Sequence, residues 1–204
     1  MKKHKHLIGL VLALLWTGHV MAIEEPKYEV LRSDGSYEIR QYAPILIAET
    51  LVEGDMDEAS NKGFRLIADF IFGNNQAADS VTDAKIAMTA PVTVQPQKDA
   101  LNMQSAEQWR VNFVMPSQYT LASIPKPKNS AVKLREVPSK HFVVLKYSGF
   151  NTVSRVQSKT REATNWINSH NLKAIGTPQL SRYDPPWTLP MFRRNEIMIE
   201  ISAP

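Results

Sequence analysis

The order of predicted elements repeats in the two halves of the sequence. Residues 37–42 and 45–52 have the composition of two strands joined by a proline turn, a helix follows, and two more strand-like runs complete the first half. The same order recurs between residues 132 and 201. A duplicated ββαββ motif of this kind, with halves at about residues 27–120 and 130–204, predicts an α+β fold.

We expect the two halves to form a single domain over residues 23–204. Each half alone would expose one face of its sheet and an open strand edge, which favours association with the other half. Residues 124–130 are rich in proline and lysine and predict a linker between the halves. Residues 86–94 and 109–115 predict the two strands that end the first half.

The first helix carries more apolar surface than one contact with a sheet requires. Asp55 is a good N-cap with Glu58 three residues later, and Gly73 ends the helical pattern. One apolar stripe at helical spacing consists of Met56, Ala59, Gly63, Leu66 and Phe70. A second stripe beside it consists of Phe64, Ile67, Ala68 and Ile71. Two interpretations stay open: the second stripe faces a ligand, or it packs as core.

The first 22 residues have the pattern of a secretory signal peptide. Three lysines form a basic start, residues 7–16 form an apolar run, and Val20 and Ala22 suit a signal peptidase. The apolar run is too short to span a bilayer. We therefore expect cleavage after Ala22, a periplasmic or secreted protein, and no transmembrane segment after processing.

Charge and cysteine content exclude several classes of function. The predicted signal peptide carries three lysines and no acidic residue, so its removal lowers the formal net charge from +4 to +1. A charge this small gives no electrostatic support for nucleic-acid binding, and we expect no nucleic-acid partner. The chain has no cysteine, which excludes disulfides, thiol catalysis and thiolate ligation of a metal.

The residues of the common catalytic motifs are missing from the sequence. The chain has no nucleophile elbow, no zinc-protease helix and no glycine-rich phosphate loop. After processing, His141 and His170 are the remaining histidines, and metal sites need clustered ligands. We therefore expect neither enzyme activity nor a metal site built from protein side chains.

A proline-rich apolar loop lies near the end of the chain. Three prolines stiffen residues 183–194, and Arg193 and Arg194 close the segment. Its large apolar side chains are Trp187, Leu189, Met191 and Phe192. Because surface loops are usually polar, this composition favours a lid over a flat apolar ligand with an anionic edge. In the alternative interpretation, the aromatic side chains fill the protein's own core.

Three separated motifs resemble the SOUL haem-binding protein family. They are Lys-Ile-Ala-Met-Thr-Ala-Pro-Val at residues 85–92, Tyr-Asp-Pro-Pro at residues 183–186 and Arg-Arg-Asn-Glu at residues 193–196. The motifs occur in the family's order, and the resemblance extends over nearly all of residues 23–204. It implies that the duplicated ββαββ motif forms a twisted, barrel-like antiparallel sheet flanked by two helices.

The resemblance also implies a binding site for haem or a related tetrapyrrole, in an apolar cleft between the first helix and the proline-rich loop. Carried over by position, the helix side of the cleft consists of Asn61, Phe64, Ile67, Ala68 and Ile71. The loop side consists of Tyr183, Trp187, Leu189, Met191, Arg193 and Arg194. Pairing with the ligand's carboxylates falls to the two arginines. We expect one of them to face the cleft, since neighbouring residues of a strand point to opposite sides.

The sequence therefore predicts a non-catalytic periplasmic protein that binds haem or a related tetrapyrrole without a covalent bond. Two alternatives stay open. The same cleft could take another amphipathic small molecule, or the exposed apolar loop could dock on a protein partner.

Overall fold

The computed structural model describes residues 23–77, 83–97 and 106–204. The predicted signal peptide, residues 1–22, lies outside the described residues. The helices are α1 (Met56–Phe72), α2 (Val153–Ser169) and a 3₁₀ turn (Pro190–Phe192). The strands are β1 (Tyr28–Asp34), β2 (Tyr37–Tyr42), β3 (Ile45–Glu53), β4 (Asn75–Gln76), β5 (Val92–Pro96), β6 (Gln108–Val114), β7 (Lys126–Pro127), β8 (Lys133–Val137), β9 (Lys140–Tyr147), β10 (Gln179–Arg182) and β11 (Asn195–Ile201).

Nine of the strands form one antiparallel sheet, whose order shows the duplication directly. The order is β1-β2-β9-β11-β10-β5-β6-β3-β8. β1 lies outside the repeat. For the other eight strands, exchanging the first ββαββ unit (β2, β3, β5, β6) with the second (β8, β9, β10, β11) gives the same order read from the opposite end. The sheet therefore has an approximate two-fold axis between β5 and β10, and the predicted α+β fold class is confirmed.

Two short connections require the sheet to curl. β2 and β3 lie six positions apart in the strand order, which is about 29 Å in a flat sheet with strands about 4.8 Å apart. The connection from Tyr42 to Ile45 spans at most about 11 Å. The connection from Val137 to Lys140 joins β8 to β9 across the same six positions. The two ends of the sheet must therefore approach each other, and the sheet forms a half-barrel.

The two helices cover one face of the half-barrel. α1 packs on β3, β5 and β6, and α2 packs on β9 and β11. Residues that alternate along the strands bury their side chains beneath these helices, as Ile197, Ile199 and Ile201 do on β11. The opposite face of the sheet lines an open groove. None of the helices in the described ranges is long and apolar enough to cross a bilayer.

Local sequence signals explain where α1 begins and ends. The Asp55 carboxylate accepts hydrogen bonds from the backbone N–H groups of Asp57 (3.0 Å) and Glu58 (2.8 Å), which is N-cap geometry. At the other end, Gly73 has φ 131°, a value that favours glycine. The predicted N-cap and C-terminus of this helix are both confirmed.

Two local predictions were wrong. The strand predicted at residues 86–94 begins at Val92, because Pro91 has no N–H group for a sheet hydrogen bond. The segment predicted as a linker is packed against the domain. Ile124 is fully buried, and β7 in the same segment pairs with β4 just after α1. The prolines therefore stiffen a packed crossing rather than separate two units.

Candidate functional site

The second apolar stripe of α1 is divided between core and surface. Ile67 and Ile71 have no exposed area, and Ala68 is 7% exposed. These residues are buried because α1 lies across three strands, so that the apolar arc in contact with the sheet is wide. Phe64 is 38% exposed and contacts the ring of Phe113 with centroids 5.6 Å apart. Asn61 is also exposed.

Arg193 fixes the proline-rich loop by hydrogen bonds to the loop's backbone. Its guanidinium donates hydrogen bonds to the carbonyl oxygens of Thr188 (2.7 Å) and Pro186, and it lies 5.6 Å from the centroid of the Phe150 ring. The N–H group of Gly149 also donates to the carbonyl of Pro190 at 2.8 Å. The loop is therefore fixed against the connection between β9 and α2.

The large apolar side chains of this loop point into solvent. Trp187 is 83% exposed, Leu189 58%, Met191 63% and Phe192 73%. The interpretation in which they fill the core is therefore wrong. Exposed apolar side chains grouped on one rigid loop are typical of a surface that binds a ligand or a partner.

Arg194 points away from Arg193, as the alternation along an extended segment predicts. Its guanidinium donates to Glu196 Oε1 (3.0 Å) and to the Glu25 carboxylate, and it stacks 3.7 Å from the centroid of the Tyr183 ring. The Tyr183 hydroxyl donates to Glu196 Oε2 at 2.8 Å. Burial, followed by the nearby Glu196 carboxylate, raises the pKa of Tyr183, which stays a neutral phenol. Tyr183 and Arg194 thus belong to an internal network rather than to the surface of α1.

The Arg-Arg-Asn-Glu motif is largely structural. Asn195 is buried, accepts a hydrogen bond from the Asn151 side chain at 2.6 Å, and donates to the Gly149 carbonyl at 3.1 Å. Both oxygens of the buried Glu196 carboxylate accept from Arg40. Burial alone would lower the pKa of Arg40, but its hydrogen bonds to Glu196 raise it, so Arg40 stays a cation.

A cation that the sequence analysis missed lies between α1 and the start of the loop. Arg182 is the last residue of β10, two residues after the buried Leu180, so its side chain lies on the helix-covered face. Its guanidinium is 3.3 Å from the carboxylate of Asp57 in the first turn of α1. Within the described ranges its buried Nε has no hydrogen-bond partner. The sequence signal that could have identified Arg182 was its position two residues after Leu180 on the same strand.

The ion pair between Arg182 and Asp57 places one line of α1 beside the loop's first residue. Asp57, Asn61, Phe64 and Ala68 are spaced four, three and four residues apart, so they lie along one side of the helix. The residue after Arg182 is Tyr183, where the loop begins. The candidate site residues are therefore the exposed edge of α1, Arg182 beside its first turn, and the exposed apolar loop that follows Arg182 in the chain.

These residues offer two kinds of interaction that the tetrapyrrole expected from the sequence would use. Aromatic side chains provide flat apolar contacts, and an incompletely paired guanidinium suits a carboxylate at the edge of the ring. Phe64, Trp187, Leu189 and Met191 are exposed for such contacts, whereas Arg193 and Arg194 already bind other protein groups. In the part of the chain that the structure describes, no three His, Asp or Glu residues cluster as metal ligands.

The opposite face of the sheet forms a groove. It has a volume of about 400 Å³ and is lined from β2 to β8, with Tyr42 and Phe142 at one side and Arg110 and Arg135 at the other. Of the predicted site residues, Tyr183 lines this groove. The structure therefore separates Tyr183 from Phe64, although both were predicted for one cleft.

Comparison with known proteins supports the motif-based resemblance. The heme-binding protein 2 of Mus musculus is 27% identical over 189 residues, which cover 87% of this chain and 86% of the mouse protein. The heme-binding protein 2 of Homo sapiens is 30% identical over 128 residues, which cover 61% of this chain and 58% of the human protein. The crystal structure of the EcmrR C-terminal domain has a TM-score of 0.59 at 11% identity, over 87% of this chain and 99% of that domain. The last similarity shows a shared fold.

A match to a family model gives the assignment. The model described as SOUL heme-binding protein matches residues 23–200. This range includes both ββαββ units and all three motifs, whose Asn195 and Glu196 hold the loop and the sheet together. The chain belongs to the SOUL heme-binding protein family.

Proposed function

We propose that this protein binds haem or a related tetrapyrrole non-covalently, on the surface formed by the exposed edge of α1 and the proline-rich loop. The observation that carries the proposal is the buried Nε of Arg182, which lacks a partner within the described ranges and lies beside this surface. Membership of a heme-binding family supports the ligand class. The Arg182 side chain is 26% exposed, so a ligand carboxylate can pair with the accessible part of its guanidinium.

In this proposal the side chains provide two kinds of interaction with the ligand, apolar contact and charge. Phe64 and Trp187 present aromatic surface, and Leu189 and Met191 extend it along the loop. Ile67 and Ile71 lie beneath this surface and fix the position of α1. Arg182 replaces Arg193 and Arg194 as the partner of the ligand's carboxylate. The stiff loop loses little conformational entropy on binding.

The proposed role is binding without catalysis by the protein itself. Haem supplies redox chemistry and ligand exchange at its iron when it is bound. The residues around the site are apolar side chains, one amide and the ion pair of Arg182 with Asp57, and their proposed role is to hold and orient a ligand. An oxidative product formed from haemin by the protein alone would contradict this role.

Haemin titrations of two variants, each with one exposed phenylalanine of α1 replaced, test the position of the site. Phe64→Asp should abolish the shift of the Soret band, because it places a carboxylate against an apolar ligand. Phe72→Asp is the matched control, since Phe72 is 59% exposed at the far end of the same helix, and it should bind like the wild type. Thermal unfolding checks that both variants fold. A folded Phe64→Asp that binds haemin normally would place the site elsewhere.

Arg182→Gln tests the proposed carboxylate partner. Losing one charge-assisted hydrogen bond should weaken haemin binding about tenfold, for about 1.5 kcal/mol. Arg193→Gln serves as the comparison, because Arg193 binds carbonyl groups of its own loop. Equal dissociation constants for Arg182→Gln and the wild type would show that Arg182 does not bind the ligand.

We also propose that the protein acts in the periplasm, after cleavage at Ala22. The basic start, the short apolar run and the small residue at the cleavage position support this location. Mass spectrometry of the exported protein should give an N-terminus at Ile23. An intact N-terminus in the purified periplasmic fraction would contradict the proposal.

Two alternative functions of the same surface would give different experimental results. If the site binds another amphipathic molecule, haemin will leave the Soret band unshifted while the protein stays folded. If the loop docks on a protein partner instead, Trp187→Ala will remove that association, because Trp187 is 83% exposed and aromatic side chains of this kind dominate protein interfaces.

A further inference from the structure

The groove on the sheet face opposite to the helices is separate from the surface proposed for haem. Its volume of about 400 Å³ lies within the range of small-molecule sites, about 300–1,000 Å³. It is enclosed by the curl of the sheet, and the hydrogen bond from the Ser139 hydroxyl to the Tyr42 carbonyl (2.8 Å) joins the two connections at its end. The shape therefore follows from the fold rather than from a loop conformation.

The buried ionic network at the base of the groove is already satisfied. Glu196 Oε2 accepts from Arg40 and from the Tyr183 hydroxyl, and Oε1 accepts from Arg40 and Arg194. Arg40 also donates to Glu38 and to the Tyr42 hydroxyl. Arg40 therefore has its charge balanced within the protein and does not select the ligand.

The wall formed by β6 and β8 carries more positive than negative charge. Arg135 makes a two-point contact with the Glu49 carboxylate, at 3.0 and 2.9 Å. Arg110 Nε is 3.4 Å from the same carboxylate, which is longer than an ordinary hydrogen bond. Two guanidinium groups thus share one carboxylate, and Arg110 has the weaker contact. On the other wall, Lys140 is paired one-to-one with Glu200 at 2.5 Å.

An apolar surface adjoins these guanidinium groups. Val137 lies opposite Ile45, and Ile47 lies opposite Val114, on the neighbouring strands β8, β3 and β6. Ile47 also lies opposite Arg135 in the register of β3 and β8. The groove therefore offers a continuous apolar strip that ends beside a cation whose partner is shared.

We propose that this groove is a second binding site, specific for an amphipathic molecule with an apolar chain and one carboxylate. The apolar chain lies on Ile45, Ile47, Val114 and Val137, and the carboxylate pairs with Arg110. One negative charge matches the net single positive charge of Arg110, Arg135 and Glu49 taken together. A cation of the same shape meets this charge unfavourably, because like charges repel in a partly buried groove.

Two amphipathic ligands with alkyl chains of equal length and opposite charges test the proposal. Calorimetric titration of the full protein with dodecanoate, below its micelle concentration, should show saturable binding. Dodecyltrimethylammonium should bind at least about tenfold more weakly, as expected when a charge-assisted contact is replaced by repulsion. Equal affinity for the two ligands would overturn the selectivity, and no binding of dodecanoate would overturn the site.

Four variants locate the binding. Arg110→Gln should weaken dodecanoate binding about tenfold, and Val137→Trp on the edge strand should abolish it by filling the groove. Arg182→Gln lies on the other face and should leave dodecanoate binding unchanged. The outcome that contradicts the proposal is dodecanoate binding that survives Val137→Trp in a folded protein and is lost in Trp187→Ala, because the chain would then bind the exposed loop.

Failure of this proposal and failure of the haem proposal give different results. Haemin binding depends on Phe64 and Arg182, whereas dodecanoate binding depends on Arg110 and Val137. Haemin binding that remains normal in Val137→Trp, together with dodecanoate binding that remains normal in Phe64→Asp, confirms two sites. Loss of both ligands in Val137→Trp with an unchanged melting temperature would contradict separate sites.

Discussion

At the scale of single residues, the sequence shows which side chains of a strand share a face, but it does not show whether that face is buried. Glu38, Arg40 and Tyr42 share one face of β2, which resembles a polar face exposed to solvent. The curl of the sheet instead buries Arg40 completely. A similar limit applies to Arg182, because its role depends on Asp57, 125 residues away. Contacts between residues so distant in sequence are not visible in a local pattern.

The buried network gives the first prediction. Arg40→Met should lower the free energy of unfolding by about 3–5 kcal/mol, because it leaves the Glu196 and Glu38 carboxylates buried with fewer partners. Arg135→Met is the control. Its side chain is 45% exposed, so the expected loss is below about 1 kcal/mol. Urea denaturation measures both, and similar losses in the two variants would contradict the account.

At the scale of elements, the caps of α1 were predictable and its outward face was only partly so. The N-cap at Asp55 and the C-terminus at Gly73 depend on local hydrogen bonds and backbone conformation. Whether Ile67 and Ile71 bind a ligand or pack as core depends on how many strands α1 crosses. The orientation of the loop's side chains was not predictable either, since its apolar composition did not reveal that Trp187 points into solvent.

The close packing of α1 gives the second prediction. An added Cβ at Gly63 would lie 2.5 Å from side-chain atoms of Val111, so Gly63→Val must push α1 away from β6. The expected loss is about 1–3 kcal/mol in unfolding free energy, with weaker haemin binding because Phe64 moves. Lys62→Val adds the same side chain at the neighbouring exposed position. Chemical denaturation should show a clear loss for Gly63→Val alone, and equal stability in both variants would be the contrary result.

At the scale of the whole molecule, the repeat was visible in the sequence but the pairing between its halves was not. The strand composition predicts hairpins between neighbours in sequence. In the structure β2 pairs with β9, β3 pairs with β8, and β5 pairs with β10. The short connections at Ala43–Pro44 and Pro138–Ser139 are the sequence features that require this arrangement, because they cannot form while the sheet is flat.

The pairing between halves gives the third prediction. Residues 23–124 expressed alone should not fold as a monomer, because β2, β3 and β5 would each lose a strand partner from the second half. An NMR spectrum of this fragment should show poorly dispersed amide signals or association. A well-dispersed spectrum from a monomeric fragment would contradict a single cooperative domain.

Hydrogen–deuterium exchange with and without haemin tests most directly where the ligand binds. We expect haemin to slow exchange of backbone amides at residues 57–68 of α1 and at residues 183–194 of the loop. We expect no change in β8 (Lys133–Val137), which borders the groove on the other face. Slower exchange in β8 and in the connection at Ala43–Pro44, with unchanged α1 and loop, would contradict the proposed haem site.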